Sequence, residues 1–127
     1  MPISYSIRRL LDAIRQVETG GLPNKGQDAV GDAGKALGPY QIWKVYWKDA
    51  TEFDKSIGGT YEDVKKKEYA EKVMLAYWRR YCPNAYGDPS KLNNLEIMAR
   101  IHNGGPKGYE KPATLNYWVR VKSHLGQ

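Results

Sequence analysis

Apolar positions near the N-terminus recur at helical spacing: Ile3, Ile7, Leu10, Leu11, Ile14 and Val17. Recurrence at i, i+3 and i+4 lines one face of a helix, so this pattern predicts an amphipathic helix over residues 4–18. Thr19-Gly20-Gly21 breaks it, and Pro23 follows. Glu18 therefore closes a helix, where a carboxylate opposes the helix dipole and its protonated form is favoured. From Leu22 to Leu37 the periodicity lapses among Gly, Asn, Asp and Ala. A loop or a short twisted hairpin is expected there, with Gly31-Asp32 and Gly34 able to turn the chain.

Downstream, Pro39 suits the first turn of a short helix running through roughly Tyr46 to Lys48. Thr60-Tyr61-Glu62-Asp63 places a Thr cap ahead of a carboxylate, the signature of a helix start. Val64, Val73, Met74, Tyr77, Trp78 and Tyr81 give that helix a buried stripe, and Pro83 ends it. A fourth helix is expected over residues 94–101, with Leu95, Met98 and Ile101 inward and a stop at Gly104-Gly105-Pro106. A fifth starts near Pro112 and carries Leu115, Trp118, Val119 and Lys122. Trp78 and Trp118 both read as core. The expected fold is mainly α, of the α+β kind: about five helices with a short loop or small hairpin after the first. No repeat or low-complexity linker interrupts it, and residues 1–127 read as a single domain.

A length of 127 residues lies in the ordinary range for one domain, roughly 100–150 residues. No apolar run approaches the roughly 20 residues that span a bilayer, so no membrane insertion is expected. The first residues lack a charged start followed by an apolar stretch, so no secretory signal is visible. Cys82 is the one cysteine, which excludes an intramolecular disulfide. With two histidines beside it, it also falls short of a zinc site built from Cys and His alone. No metal or cofactor is expected. The net charge of +6 favours polyanionic partners, nucleic acid or an anionic cell wall.

Three segments could carry chemistry. In Val17-Glu18-Thr19-Gly20-Gly21, a carboxyl at a helix end can be held in a partly desolvated cleft, which keeps it protonated and able to donate. Its plain alternative is a solvated surface Glu. Asp32, between glycines in Gly31-Asp32-Ala33-Gly34, has water access and stays ionised, as the second carboxylate of a glycosidase must. Its alternative is a turn aspartate bonded to its own backbone. Asp28 competes for that role, with Asp49 and Glu52 further off. In Arg100-Ile101-His102-Asn103-Gly104-Gly105, a helix end presents His and Asn beside glycines that let a ligand approach the backbone. A plain glycine-capped terminus is the alternative.

Taken together and in this order, the segments resemble the lysozyme superfamily, most closely the invertebrate-type, destabilase-like lysozymes and their bacterial and phage relatives. Val17-Glu18-Thr19-Gly20 matches that family's Glu-Ser-Gly block, and Asp32-Ala33-Gly34 its Asp-x-Gly block. Gly38-Pro39-Tyr40-Gln41-Ile42, Tyr46-Trp47-Lys48-Asp49, His102-Asn103-Gly104-Gly105-Pro106 and Tyr117-Trp118 follow in the family's order. Two features depart from the animal members. Those are rich in disulfides and carry a cysteine before Gly38, where this chain has Leu37; the spacing from Asp32 to Gly38 is also one residue shorter.

The resemblance implies a bacteriolytic, antimicrobial muramidase. It would cut the β-1,4 bond between N-acetylmuramic acid and N-acetylglucosamine in peptidoglycan, with Glu18 as general acid and base and Asp32 as second carboxylate. Tyr40, Gln41, His102, Asn103 and Gly104 become candidates for sugar contact. The Glu18 and His102 blocks are also similar to those of lytic transglycosylases, and a non-catalytic peptidoglycan- or chitin-binding module on the same scaffold is a further alternative. The expected partners are glycan strands and anionic wall polymers. The latter would be captured by Lys65-Lys66-Lys67 and Arg79-Arg80 where these are more than solvated surface. A nucleic-acid partner is disfavoured, since no helix-turn-helix or RNA-binding signature accompanies the charge. A monomer acting at the bacterial wall is expected. Cys82 reads as a buried or idle thiol, with pairing to His102 or His124 left open.

Overall fold

Residues 3–126 are described by a computed structural model. The chain divides into two compact units, Glu18–Arg80 and a second formed by the residues up to Val17 and from Tyr81 onward. The first helix, α1 (Tyr5–Thr19), begins in one and ends in the other.

In the unit Glu18–Arg80, a 3₁₀ turn at Pro23–Gly26 leads to β1 (Val30–Gly31), a tight turn at Asp32–Gly34, β2 (Ala36–Leu37) and β3 (Ile42–Trp43). The strands form an antiparallel sheet in the order β1-β2-β3, with Gly31 opposite Ala36 and Ala36 opposite Trp43. The expected small hairpin is thus a three-stranded meander. Two helices follow, α2 (Lys44–Phe53) and α3 (Lys67–Tyr81). Tyr40, Ile42, Ala50, Val64, Val73, Met74 and Trp78 are fully buried. Tyr46 and Tyr77 stack with ring centroids 3.7 Å apart.

Two expectations change here. Pro39 does not open a helix. It is the second residue of a turn in which the Gln41 amide donates to the Gly38 carbonyl at 3.1 Å, a position whose fixed φ proline suits. Gly38 has φ +81, and a Cβ there would lie 2.4 Å from the Val64 carbonyl oxygen, so both the turn and the close approach require glycine. The Thr60 cap forms as expected, with its amide donating to the Asp63 carboxylate at 2.9 Å. It starts only a short 3₁₀ turn, Tyr61–Lys65. Backbone wedged against Gly38 sends Val64 inward, Lys66 becomes extended, and α3 starts afresh at Lys67.

In the other unit, Ile7, Leu10, Leu11 and Ile14 bury one face of α1. A single turn, α4 (Pro83–Tyr86), precedes α5 (Leu92–Gly104) and α6 (Leu115–His124). The one-turn α4 carries no periodicity to read. Leu95, Met98 and Ile101 face inward as expected, and Trp118 is buried. The stripe of α6 is otherwise rotated: Leu115 and Val119 are exposed, while Tyr117, Val121 and Leu125 are buried. Arg9 fastens the end of this helix, its Nε donating to the Leu125 carbonyl at 3.0 Å. Among the described residues no helix is long and apolar enough to cross a membrane.

One buried charge organises the core around α3. Glu71 is 4% exposed and accepts from the Tyr40 hydroxyl at 2.6 Å and from Lys67 Nζ at 2.9 Å. A hydrogen bond to a buried charged group contributes about 1.5–3 kcal/mol. Replacing Tyr40 with Phe should therefore lower unfolding stability by about that amount, read as a reduced urea midpoint at unchanged slope.

Candidate active site

The site candidates distribute between the two units as follows. Glu18, Asp32, Tyr40 and Gln41 belong to Glu18–Arg80; His102, Asn103 and Gly104 belong to the other. Glu18 is half-buried at the penultimate position of α1. The next residue, Thr19, is buried and its hydroxyl donates to the Pro39 carbonyl at 2.8 Å. That bond brings the end of α1 onto the Gly38–Gln41 turn. Gly26 completes the junction: a Cβ on it would meet Thr19 Oγ1 at 2.4 Å and Pro39 Cα at 3.1 Å. Three segments that look unrelated in sequence thus converge beside Glu18.

Asp32 is exposed, at the tip of the β1–β2 hairpin. It adopts φ +50, followed by Ala33 at +58 and Gly34 at +91. Left-handed backbone costs a non-glycine residue roughly 1–2 kcal/mol, though Asp tolerates it better than most. The turn closes through the Lys35 amide, which donates to the Asp32 carbonyl at 3.2 Å. Its base is held by Tyr61, whose hydroxyl donates to the Ile42 carbonyl at 2.6 Å and lies 3.2 Å from that of Lys35. Partial burial raises the Tyr61 phenol above its ordinary value, which keeps it a donor. The Asp32 carboxylate accepts from Trp43 Nε1 at 3.1 Å. The competitor Asp28 is exposed in the loop before β1.

Gln41, half-buried at φ +52, directs its amide nitrogen to the carbonyls of Gly38 at 3.0 Å and Ala29 at 3.3 Å. Its amide oxygen stands 2.2 Å from where a Gly31 Cβ would be, so Gly31 makes room for it. Tyr40, expected at a sugar, is 0% exposed and its hydroxyl goes to Glu71, so its ring belongs to the core. His102 is 7% exposed, Asn103 is exposed and Gly104 half-buried. The glycines of this block have structural reasons. Gly105 ends α5 at φ +91, and a Cβ on Gly108 would meet the Arg100 carbonyl oxygen at 2.1 Å.

The Destabilase family matches residues 10–124 of this chain. The chain belongs to that family. Invertebrate-type lysozyme 6 of Caenorhabditis elegans is 33% identical over 125 residues, 94% of this chain and 88% of that protein. The lysozyme of Ostrea edulis is 37% identical over 88 residues, 69% of this chain and 59% of its own length. Among solved structures, Meretrix lusoria lysozyme in complex with Aeromonas hydrophila PliI superposes with a TM-score of 0.70 at 29% identity, over 91% of this chain and 88% of that one. Tapes japonica lysozyme gives the same score at 26% identity, over 91% and 87%.

Within this Destabilase chain, sequence reasoning passed over Thr19 as a fastener, Trp43 as a partner of Asp32, and Glu71. Only Trp43 left a trace, since it alternates with the buried Ile42 and so had to face outward. The lysine run is also less bare than its sequence suggests. Lys65 pairs with Glu62 at 2.9 Å, Lys66 with Asp63 at 3.5 Å and Lys67 with Glu71 at 2.9 Å. With Lys25, Asn24, Gln27, Pro39 and Glu68 these lysines line a pocket of about 250 Å³. Among the described residues no group of three or more His, Cys, Asp or Glu side chains is placed to hold a metal ion.

Cys82 is buried, and desolvation pushes its thiol up to about 12. A thiol so raised is neutral at pH 8 and is no nucleophile, which removes the Cys–His alternative. Native protein should accordingly resist an aromatic disulfide reagent at pH 8. One equivalent should react promptly after unfolding in urea, followed by absorbance.

Proposed function

We propose that this chain is a muramidase hydrolysing the β-1,4 linkage between N-acetylmuramic acid and N-acetylglucosamine in peptidoglycan. Membership of the Destabilase family, with lysozymes among its relatives, supports glycoside hydrolysis. The observation that carries the assignment to particular residues is the pair Glu18 and Asp32. One closes α1 against the Gly38–Gln41 turn; the other is held at the tip of the adjoining hairpin.

In this scheme Glu18 protonates the glycosidic oxygen as the bond to the anomeric carbon breaks. Asp32 stabilises the oxocarbenium-like transition state or attacks that carbon, and Glu18 then takes a proton from the incoming water. Gln41, His102, Asn103 and Gly104 remain candidates for sugar contact, through amide, imidazole and backbone groups. Tyr40 drops out because its side chain is enclosed. The net charge of +6 favours approach to anionic wall polymers, so the protein would work at the bacterial wall.

Glu18→Gln preserves shape and removes the proton donor. Lysis of purified wall, followed by turbidity, should fall by at least about 100-fold, the lower end for acid–base catalysis. Mass spectrometry of wild-type digests should show reducing-end muramic acid. An anhydro end would instead mark a transglycosylase, and wall binding without product a non-catalytic module. Near-normal lysis by the Gln variant would remove Glu18 from the scheme.

A further inference from the structure

Trp43 is conspicuous for being exposed and committed at once. Its ring is 41% exposed at the end of β3, yet Nε1 donates to Asp32 Oδ2 at 3.1 Å. Trp43 is on the edge strand β3, whereas Asp32 directly follows the other edge strand, β1, in the turn that leads to β2. The cross-strand row explains how the bond spans that distance. Trp43 is opposite Ala36, and Ala36 opposite Gly31, so the neighbours along the row are a methyl group and a hydrogen. Bulkier side chains at either position would crowd a ring lying across the sheet.

Lys35 adds to the arrangement. Its ammonium stands over the Trp43 ring, 5.8 Å from the centroid, and its amide closes the Asp32 turn. A cation over an indole face draws on the ring's electron density, which strengthens the N–H as a donor. Among the described residues the second carboxylate oxygen of Asp32, Oδ1, has no hydrogen-bond partner.

We propose that Trp43 is a positioning residue for Asp32: its indole N–H holds Oδ2 and leaves Oδ1 to face the anomeric carbon. This rests on the reading of Asp32 as the second carboxylate. The strained left-handed turn makes such a clamp necessary, because an aspartate at φ +50 on an exposed hairpin tip would otherwise sample several rotamers.

The test replaces Trp43 in two ways. Trp43→Phe removes the N–H and part of the ring; benzothienylalanine at the same position keeps the bicyclic shape and removes only the N–H. On soluble wall glycan, kcat should fall about tenfold with KM nearly unchanged, the pattern of an interaction that acts in the transition state. An unchanged kcat, or a loss confined to KM, would overturn the role and make Trp43 a stacking surface for sugar. Asp32→Asn separates the two levels of the argument. An inactive Asn variant beside an unchanged kcat in the Trp43 variants sinks the clamp alone, whereas near-normal lysis by Asp32→Asn sinks the reading of Asp32 and the clamp with it.

Discussion

The buried hydroxyl of Thr19 sets the geometry on which the rest of the site depends. A helix end leaves several carbonyls without intrahelical partners, and its last turn frays unless tertiary contacts hold it. Here α1 is followed directly by two glycines, the residues least able to hold its end. Thr19 supplies the anchor by donating to the Pro39 carbonyl at 2.8 Å out of contact with water. Gly26 allows that contact by having no side chain where Thr19 sits. With position 19 fixed, the backbone of Glu18 is fixed as well, and the only freedom left to the carboxyl is that of its own torsions. Loss of this bond would leave a buried acceptor unsatisfied and release the backbone beside Glu18.

The second carboxylate is controlled by a different device. Asp32 sits in a turn of three successive left-handed residues, which persists because the surroundings oppose its relaxation. A relay of aromatic groups supplies the resistance. Tyr69 donates to the Gly58 carbonyl at 2.7 Å and accepts from Trp47 Nε1 at 2.9 Å. The Trp47 ring lies 6.0 Å from that of Tyr61, and Tyr61 holds the Ile42 carbonyl at the base of the hairpin. Trp47, Tyr61 and Tyr69 thus form a scaffold beneath Asp32.

This explains what was legible in the sequence. Helix α1, its stop, the glycine-rich turn region and the inward faces of α3 and α5 follow from periodicity and chain breakers, which are local properties. The family blocks are legible because their glycines answer backbone demands: Gly38 to its contact with Val64, Gly105 and Gly108 to the end of α5. What stayed hidden depends on partners distant in sequence. Tyr40 looks like a sugar-binding aromatic until Glu71, 31 residues later, takes its hydroxyl. The rotation of α6 likewise follows from which of its apolar residues find space, a choice that amphipathic spacing leaves open between adjacent stripes. A motif locates a site more reliably than it distinguishes the residues that do chemistry from those that shape the loop.

Animal lysozymes of this type are rich in disulfides, and a chain with one buried thiol must obtain its stability otherwise. Each unit contains a polar cross-link in the place of such a bond. In one, Glu71 on α3 joins the Gly38–Gln41 turn through Tyr40 and its own helix through Lys67. In the other, Arg100 on α5 pairs with Glu96 at 2.7 Å and reaches out to the Thr114 hydroxyl at 2.8 Å and the Lys111 carbonyl at 3.0 Å. Hydrogen bonds to charged groups contribute about 1.5–3 kcal/mol each, a range that applies to the buried Tyr40–Glu71 bond, whereas the part-exposed Arg100 bonds contribute less. The two differ in their sensitivity. A disulfide fails by reduction, whereas these polar networks contain no bond that a reductant cleaves.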